Sequence, residues 1–474
     1  MATSKITRSS ATIATRASRK STKAPARFSG KSLPARWTDG AGARFDDCRS
    51  LRSGGERVSL QKSGIDIRET HDRHDVHDRH SPRDARDAHD AGEEVLFDVI
   101  NGFGVITLNR PKALNAITHG MVRAMWRQLN AWVDDPAVRA VLVEGAGEKA
   151  FCAGGDVRAL YESRISNANH HQAFFIDEYR LDFLIHRYPK PYIALLDGIV
   201  MGGGMGIAQG AALRIVTDRT RLAMPETGIG LFPDVGASWF LGHLAPTLAR
   251  YLGLSGVTIT AADALYCGLA DVWLEGDAPA QLREMLHRFE WPDDMPDSAD
   301  RSMPHTGKRI AGGNTQNTAD LLASLRAALV PLGRTWTDAA PLSRVRATLD
   351  RHFSALDVPG IVASLGSDTD NAWSAETLAL LKQRSPLSLC VTDRQLQTGR
   401  RLDLADAFRM ELVLGYHAFA SGDFVEGVRA LLIDKDKQPR WRYAALADVP
   451  AAQVDAFFVS PWPQGAHPLE DLGR

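Results

Sequence analysis

Short apolar strands alternate with helices along this chain, and glycine-rich turns join them, which constrains the fold more than any other feature. Tyr192–Leu196 has the pattern of a buried strand, and a glycine-rich turn leads from it into a helix predicted over Gly203–Gln209. Leu213–Thr217 and residues 221–224 are predicted as further strands. Strands that alternate with helices form largely parallel sheets, so the pattern predicts an α/β fold.

The same alternation begins earlier in the chain. Residues 95–108 alternate apolar and polar side chains around a glycine-containing turn, which predicts a β-hairpin. Residues 115–133 have helical periodicity, and residues 138–144 form a short apolar strand. A further helix is predicted over residues 170–187, where two prolines end it. From about residue 247 onward the pattern is mostly helical.

Changes in composition divide the chain into segments. Residues 93–275 are predicted to form the folded core, and residues 276–474 a helical C-terminal region. Residues 291–317 are rich in Pro, Asp, Gly and Asn, which is typical of a linker or surface insertion. Residues 1–92 are expected to be a disordered or targeting extension, because they contain too few apolar residues to fold alone.

The N-terminal extension leaves the location of the protein open. Its first 38 residues contain nine Lys or Arg and no Asp or Glu, as organellar transit peptides do. A disordered extension, or a start codon placed too far upstream, would have the same composition. The expected location is cytoplasmic, and the alternative is the mitochondrial matrix. Histidines at every third position from His71 to His80 are interpreted as part of a solvated tail rather than as metal ligands.

The composition also excludes several classes of partner. The net charge of -1 gives no reason to expect binding to nucleic acid or to a membrane surface. Four cysteines without paired spacing argue against a disulfide framework and against a zinc site. No uncharged apolar run reaches the roughly 18 residues that a membrane span requires. We therefore expect neither metal nor cofactor.

Three glycine-rich turns carry the candidate chemistry, in residues 149–156, 197–206 and 224–236. The first two each follow a strand and precede a helix, where backbone N–H groups are free to bind a negatively charged oxygen. An oxyanion hole needs two such donors, and Ala153 or a neighbour and Gly203 are the candidates. The alternatives are an ordinary turn with Asp156 as helix cap, close helix packing, or a phosphate loop.

The third turn adds two carboxylates, Glu226 and Asp234, within a Gly- and Pro-rich loop. A carboxylate in a partly dry site has a raised pKa and works as a general acid or base. Alternatively, Asp234 caps a helix and Glu226 is an exposed loop residue. Cys152, beside the proposed hole, is interpreted as a small buried residue because no histidine motif would activate it.

Together the three turns resemble the crotonase (enoyl-CoA hydratase/isomerase) superfamily over residues 94–274, beginning with the motifs Asn109-Arg-Pro111 and Leu114-Asn-Ala116. Within it the chain resembles the 3-hydroxyisobutyryl-CoA hydrolase subfamily. Additional motifs carry that second resemblance: Phe174-Phe-Ile-Asp-Glu-Tyr179, Met201-Gly-Gly-Gly204, Met224-Pro-Glu226, Phe232-Pro-Asp-Val-Gly236, Ser385-Pro-Leu387, Asp423-Phe-Val-Glu-Gly-Val-Arg429 and Ile433-Asp-Lys-Asp436. The implied fold is a crotonase-like spiral of ββα units followed by helices.

The resemblance also implies roles for individual residues. The backbone N–H groups of Ala153 and Gly203 would form the oxyanion hole. Glu226 matches the second of the two glutamates that hydratases use, whereas the position of the first is Gly206. Glu226 and Asp234 would be the catalytic residues, with Glu226 as the main acid or base and Asp234 positioning the substrate hydroxyl or the water, and Glu178 would contact the acyl group. The expected substrate-binding residues are therefore Glu178, Gly203, Glu226 and Asp234.

Hydrolysis of a short-chain 3-hydroxyacyl-CoA is the leading hypothesis, with 3-hydroxyisobutyryl-CoA of valine catabolism as the expected substrate. The glycine at 206 argues against hydration, because syn addition of water to a double bond normally uses both carboxylates. The alternatives are an enoyl-CoA hydratase or isomerase and a non-catalytic acyl-CoA-binding protein. Coenzyme A would be part of the substrate and not a cofactor. The resemblance leaves open whether the chain forms a homo-oligomer.

Overall fold

Two β-sheets form the frame of the protein. The structure, a computed structural model, describes residues 94–168, 170–292, 315–333 and 340–474. Its strands are β1 Val95–Ile100, β2 Phe103–Leu108, β3 Ala140–Gly145, β4 Ala150–Cys152, β5 Tyr192–Leu196, β6 Ile199–Met201, β7 Leu213–Thr217, β8 Arg221–Ala223, β9 Ile259–Thr260 and β10 Val272–Leu274. The large sheet has the order β1-β2-β3-β5-β7-β10, and the small sheet the order β4-β6-β8-β9.

Successive strands alternate between the two sheets. β3, β5 and β7 lie side by side and parallel in the large sheet, and each is followed by a strand of the small sheet. β4, β6 and β8 in turn pair with one another in parallel. A helix or helical turn follows each pair, so the core repeats a ββα unit. The ends of β4, β6 and β8 therefore lie next to one another. The first two glycine-rich segments contain β4 and β6, so the turns themselves are residues 153–156, 202–206 and 224–236, and all three begin at these strand ends.

Helices surround this frame. In chain order they are α1 His119–Val133, α2 Val157–Ile165, α3 His170–His186, α4 Gly203–Gln209, α5 Ala237–Phe240, α6 Pro246–Ser255, α7 Ala261–Cys267, α8 Ala278–Arg288, α9 Thr315–Leu329, α10 Pro341–Phe353, α11 Val358–Ser367, α12 Ala372–Leu381, α13 Pro386–Gly399, α14 Leu404–Ser421, α15 Asp423–Val428 and α16 Ala451–Phe457. None of these helices combines the length and apolar content needed to span a bilayer.

Both faces of the large sheet are buried. In β3, Val141 and Val143 belong to the main hydrophobic cluster, whereas Ala140 and Leu142 face a second cluster. α8 and α9 cover that second face with leucines such as Leu282 and Leu325. Strands that are buried on both faces are apolar throughout, which explains why they appear in the sequence as continuous apolar runs.

The later helices are fastened to the core by buried polar contacts. Arg250 of α6 donates two hydrogen bonds to the Asp393 carboxylate of α13, at 2.6 and 3.0 Å. It also donates to the carbonyl oxygen of Phe353 at the end of α10, at 2.8 Å. One buried guanidinium thus joins three helices that are far apart in sequence.

The predicted α/β fold, with ββα units followed by helices, is confirmed. The helix predicted from residue 115 begins at His119 instead. Leu114 and Asn115 have φ angles of 53° and 55°, which no right-handed helix contains, and the Thr118 side chain caps the helix. The mostly helical pattern after residue 247 also concealed two short strands, β9 and β10.

Some predictions concern residues that the structure does not describe. Residues 1–92 lie outside the described part of the chain, and so does most of the proposed linker over residues 291–317. The division into a core over 93–275 and a helical region over 276–474 stays a prediction.

Candidate active site

The first turn, residues 153–156, connects β4 to α2. The Asp156 carboxylate accepts a hydrogen bond from the N–H of Ala159 at 3.3 Å and so caps α2. Gly154 has a φ of +108°, and a Cβ there would lie 3.2 Å from the carbonyl oxygen of Met201. The first turn therefore lies directly against the second one.

The second turn carries backbone donors at the start of α4. Gly202 has a φ of 50°, and Gly203 begins the helix. A Cβ on Gly203 would lie 3.2 Å from the nitrogen of Gly155, so the two turns are in contact. Among the described residues, the N–H groups of Gly155 and Gly203 donate to no acceptor. These two amides are free to bind an incoming oxygen.

Ala153, the other predicted oxyanion donor, is placed differently. Its N–H donates a 3.0 Å hydrogen bond to the carbonyl oxygen of Leu114. A substrate oxygen could bind the N–H of Ala153 only by sharing it with the Leu114 carbonyl or by displacing that carbonyl. The amide of Gly155, two residues later, is free. The role of Ala153 as a donor stays a prediction.

The third turn holds Glu226 against the second one. Glu226 starts a 3-10 helix over Glu226–Ile229 and is buried. Its Oε1 lies 2.9 Å from where a Cβ on Gly202 would be, and its Oε2 has no hydrogen-bond partner among the described residues. The predicted alternative of an exposed loop glutamate is wrong. A buried carboxylate with an unpaired oxygen, next to free amides, is suited to act on a bound substrate.

Asp234 ends the third turn and is also buried. Its Oδ2 accepts a 2.8 Å hydrogen bond from the Tyr179 hydroxyl of α3. The residue at the cap position of α5 is Gly236, and the N–H groups of Gly236 and Ser238 donate to the Glu411 carboxylate rather than to the Asp234 side chain. The alternative role of Asp234 as a helix cap is therefore not seen.

α3 supplies Glu178 from the opposite side of the glycines. Its Oε1 lies 2.6 Å from where a Cβ on Gly203 would be and has no hydrogen-bond partner within the described chain. Glu178 and Glu226 thus lie beside consecutive glycines of the second turn. The structure brings Glu178, Gly203, Glu226 and Asp234 together, as expected, while their roles stay predictions.

The site contains more acids than it can ionise at one time. Burial raises the pKa of Glu178 and of Glu226 well above the usual value, and the neighbouring Asp234 raises both further. Burial also raises the pKa of Asp234, to about 7. Arg384 lies close enough to oppose the effect on Glu226. At neutral pH some of these carboxyls therefore carry protons, as general acids and bases must.

Cys152 is buried at the end of β4, as predicted. Burial raises the pKa of its thiol to about 12, so the reactive thiolate does not form near neutral pH. Its backbone packs beneath the second turn, where a Cβ on Gly204 would lie 2.5 Å from the carbonyl oxygen of Cys152, and its thiol sulfur accepts a 3.4 Å hydrogen bond from the N–H of Gly154. This residue is part of the packing between the turns.

Sequence reasoning missed the support that the helical region gives to the site. Glu411 of α14 accepts hydrogen bonds from the N–H groups of Gly236 and Ser238, both at 2.7 Å. Gln395 of α13 donates to the carbonyl oxygen of Pro233 at 2.5 Å. A glutamate within the otherwise apolar face of α14 was the one available signal, since a buried acid needs a partner.

A cavity of about 790 Å³ lies beside the first turn. α1, α2 and α3 line it, with His119, Arg123 and His170 among its polar residues. The ring of Phe174, which lines the cavity, lies 3.3 Å from where a Cβ on Gly155 would be. The cavity is large enough for a drug-sized ligand, and Phe174 connects its wall to the turn that carries one of the free amides.

Comparison with known proteins shows which family and which curated proteins this chain is similar to. Residues 103–458 match the family described as enoyl-CoA hydratase/isomerase. A 3-hydroxyisobutyryl-CoA hydrolase, mitochondrial, from Danio rerio is 39% identical over 373 residues, covering 78% of this chain and 90% of that protein. The protein of the same name from Homo sapiens is 35% identical over 370 residues, covering 78% and 89%. These names give no support to the expected cytoplasmic location.

Solved structures share the fold. A carnitinyl-CoA dehydratase from Mycobacterium thermoresistibile has a TM-score of 0.67 and 36% identity, covering 81% of this chain and 100% of its own. An enoyl-CoA hydratase from Rhodobacter sphaeroides has a TM-score of 0.64 and 31% identity, covering 78% and 98%. Both names contain an acyl-CoA, but they differ from the curated relatives in the reaction.

Proposed function

The chain belongs to the enoyl-CoA hydratase/isomerase family, and we propose that it hydrolyses a short-chain 3-hydroxyacyl-CoA thioester, with 3-hydroxyisobutyryl-CoA as the leading substrate. The names of the curated relatives support this activity. The observation that carries it is the combination of a glycine at 206 with a buried Glu226 whose Oε2 has no hydrogen-bond partner among the described residues. Hydratases carry a catalytic glutamate at each of two positions. This chain has a glutamate at the second, Glu226, and a glycine at the first, Gly206.

The thioester carbonyl oxygen binds to the backbone N–H of Gly203 and to a second amide of the first turn. Ala153 is the donor that the family resemblance implies, and Gly155 is the amide left free. Both direct a partial positive charge at the oxygen on which negative charge develops when the carbonyl carbon is attacked. α4 begins at this point, so its dipole adds to the effect.

Glu226 is the catalytic base in this mechanism. Its carboxylate takes a proton from water while the water oxygen bonds to the thioester carbon. The tetrahedral oxyanion then collapses, the carbon–sulfur bond breaks, and the protonated Glu226 returns the proton to the thiolate of coenzyme A. Alternatively, Glu226 attacks the carbonyl carbon itself, expels the thiolate of coenzyme A and forms a transient anhydride, which water hydrolyses. Hydroxylamine can convert such an anhydride to a hydroxamate on Glu226, which the thioester substrate cannot form by itself, so mass spectrometry of the protein separates the two routes.

Asp234 and Glu178 hold the substrate in this proposal. Asp234 lies at the end of the third turn, where Tyr179 fixes its orientation, and it positions the substrate hydroxyl or the attacking water. Glu178 faces Gly203 from the other side and contacts the acyl group. The reaction needs no metal or cofactor, so we expect a chelator to leave the rate unchanged.

Release of free thiol tests the proposal. The full chain is mixed with 3-hydroxyisobutyryl-CoA, and the thiol is followed with a disulfide dye while mass spectrometry identifies the acid. We expect steady thiol release from the native chain and a rate about 10²–10⁴-fold lower from Glu226→Gln. Asp263→Asn is a matched control, because Asp263 is a buried acid in the cap of α7, outside the candidate site. Absence of thiol release by the native chain would refute the proposal.

Hydration of an enoyl-CoA is the second candidate, and the names of the two solved structures favour it. Loss of absorbance by an enoyl thioester without thiol release would identify that activity. Binding of acyl-CoA without turnover would identify a binding protein. A comparison of 3-hydroxyisobutyryl and 3-hydroxypropionyl thioesters would determine the acyl preference.

We also propose a mitochondrial location. The names of the curated relatives support it, together with the basic, acid-free composition of the first 38 residues. Mass spectrometry of the native N-terminus, with fractionation of the cells, tests it. Recovery of the intact N-terminus in the cytoplasmic fraction would contradict it. Light scattering of the purified chain would determine whether it forms a homo-oligomer.

A further inference from the structure

Asp182 is a buried carboxyl that the proposed mechanism does not use. It lies on α3, one helical turn after Glu178, and is 0% exposed. Neither of its oxygens has a hydrogen-bond partner in the described part of the chain. A buried polar atom without a partner is rare in proteins, and both atoms of one carboxyl lacking one is more unusual still. Asp182 therefore calls for a functional explanation.

The position of Asp182 is tied to Gly206. A Cβ on Gly206 would lie 2.7 Å from Asp182 Oδ2. The space that a side chain at position 206 would need is thus filled by a carboxyl from α3. Position 206 is where the hydratases carry their first glutamate, so the acid group missing from the second turn is replaced by one from a different element.

The surroundings of Asp182 disfavour its charged form. Titratable groups on several elements interact with it: Glu178 on α3, Cys152 on β4, Tyr192 on β5, Asp234 in the third turn and Glu411 on α14. The Nε2 of His186, one turn further along α3, is also buried, and burial lowers the pKa of this histidine to about 4, which disfavours its cationic form. Burial raises the pKa of Asp182 well above the usual value, and Glu178, Asp234 and Glu411 raise it further. Asp182 therefore ionises at a higher pH than an ordinary aspartate does.

Two groups that interact electrostatically with Asp182 also have unpartnered atoms. Glu178, four residues earlier on the same helix, and Tyr192 have a buried Oε1 and a buried hydroxyl oxygen without a hydrogen-bond partner among the described residues. None of these three side chains reaches another within hydrogen-bonding distance. Polar groups that are enclosed but too far apart to bond directly are commonly joined by a buried water with two to four partners.

We propose that Asp182 is a positioning residue: it keeps its proton and, through an enclosed water shared with Glu178, donates the hydrogen bond that orients Glu178 against Gly203. The inference rests on the proposed function, because Glu178 contacts the acyl group there. Asp182 transfers no proton in the reaction, and its O–H bond stays intact. Glu178, which faces the glycines, is the carboxyl of the pair that ionises first.

The pH dependence of kcat/KM distinguishes this role from a purely structural one. Asp182→Asn keeps a hydrogen-bond donor of the same shape, whereas Asp182→Val removes the donor. The limb of the profile that belongs to Glu178 is identified as the one that Glu178→Gln abolishes. We expect Asp182→Val to move that limb to higher pH by about one unit or more, since one hydrogen bond to the ionised form is lost. Asp182→Asn should leave it in place.

Infrared spectroscopy of the free protein tests the protonation of Asp182 without any turnover. We expect the native chain at neutral pH to show the carbonyl stretch of protonated carboxyls, and Asp182→Asn to lose part of that band. Asp177→Asn is the control and should lose none, because hydrogen bonds from His119 and Arg123 outweigh the effect of burial and hold the pKa of the Asp177 carboxyl below its usual value. This measurement remains usable if Asp182→Val does not fold.

The outcomes separate the two proposals. If no thioester is hydrolysed but the band is lost in Asp182→Asn, the proposed function fails and the protonated Asp182 stands. If thiol is released but Asp182→Asn leaves the band unchanged, Asp182 carries no proton and this inference is overturned. It is also overturned if Asp182→Val and Asp182→Asn give the same pH profile.

Discussion

At the scale of single residues, the site depends on how few of its carboxyls carry a charge at one time. Glu178, Asp182, Glu226 and Asp234 are all buried, and the pKa of each is raised chiefly by burial. A carboxylate that has lost its water is a stronger base than an exposed one. Burial therefore makes Glu226 effective once it is ionised and also limits the pH range in which it is ionised.

Replacement of Glu226 by Gln tests the base directly. The amide has nearly the same shape but cannot accept a proton from water, so we expect kcat/KM for thiol release to fall by about 10²–10⁴-fold. The variant should fold, because it replaces a buried acid that has an unpartnered oxygen. Steady-state kinetics and a thermal melt measure both effects. Near-normal turnover would show that another group is the base.

The pH dependence of the reaction follows from the same residue. The pKa of Glu226 is raised well above its ordinary value of 4.5, so the ionised base appears only as the pH rises. We expect kcat/KM to increase with pH along a limb that lies above pH 4.5. The profile is measured with the thiol dye from acidic to alkaline pH. A flat profile across this range would contradict the assignment.

At the scale of elements, the third turn depends on α14. Gly236 and Ser238 donate their N–H groups to the Glu411 carboxylate, which fixes the chain immediately after Asp234. Burial raises the pKa of Glu411 to about 8, and the two amide hydrogen bonds act against this. A helix distant in sequence thus determines where a candidate catalytic loop ends.

Replacement of Glu411 by Ala tests this connection. The change leaves two buried N–H groups without an acceptor, so we expect a loss of about 2–4 kcal/mol in the free energy of unfolding. kcat/KM should fall as well, because Asp234 is no longer held. Glu411→Gln retains an acceptor oxygen, so its free energy of unfolding and its kcat/KM should both fall by less. Urea denaturation and thiol release provide the measurements, and equal effects of the two substitutions would contradict this account.

Local patterns allowed much of the fold and part of the site to be predicted. All five residues of Tyr192–Leu196 are buried, and their continuous apolar pattern predicted that strand. The glycine-rich turns predicted Gly203 and Glu226, because short motifs are local in sequence. Glu411 could not be found in this way. It is 175 residues from Gly236, and only the packing of α14 onto the core brings the two together.

Asp182 shows a second reason why sequence patterns are insufficient. It lies in the middle of a predicted helix, where an aspartate usually faces solvent. It can be buried there because Gly206, on α4, has no side chain to occupy the same space. The start of α1 was missed for a related reason, since the left-handed conformations of Leu114 and Asn115 leave no signal in hydrophobic periodicity.

At the scale of the whole molecule, one buried ion pair connects the core to the helical region. Arg250 and Asp393 are both buried, and Arg250 also donates to carbonyl oxygens at the end of α10. Arg250→Met would leave Asp393 buried without its partner, so we expect a loss of about 3–5 kcal/mol in the free energy of unfolding. The double variant Arg250→Met, Asp393→Leu should recover part of the loss. Urea denaturation compares them, and no recovery would show that the carbonyl contacts dominate.

The buried acids also determine how the stability of the whole molecule varies with pH. Because the folded-state pKa values of Asp234 and Glu411 are raised, to about 7 and about 8, their contribution is fully present below pH 4. It is lost as the pH rises through the folded pKa values, since the unfolded chain gives up its protons first. We therefore expect the melting temperature to fall between about pH 4 and pH 8 and to level off above that. Asp234→Asn should make that fall shallower, because the asparagine does not titrate. An equal slope for the native chain and the variant would show that other groups control this loss of stability.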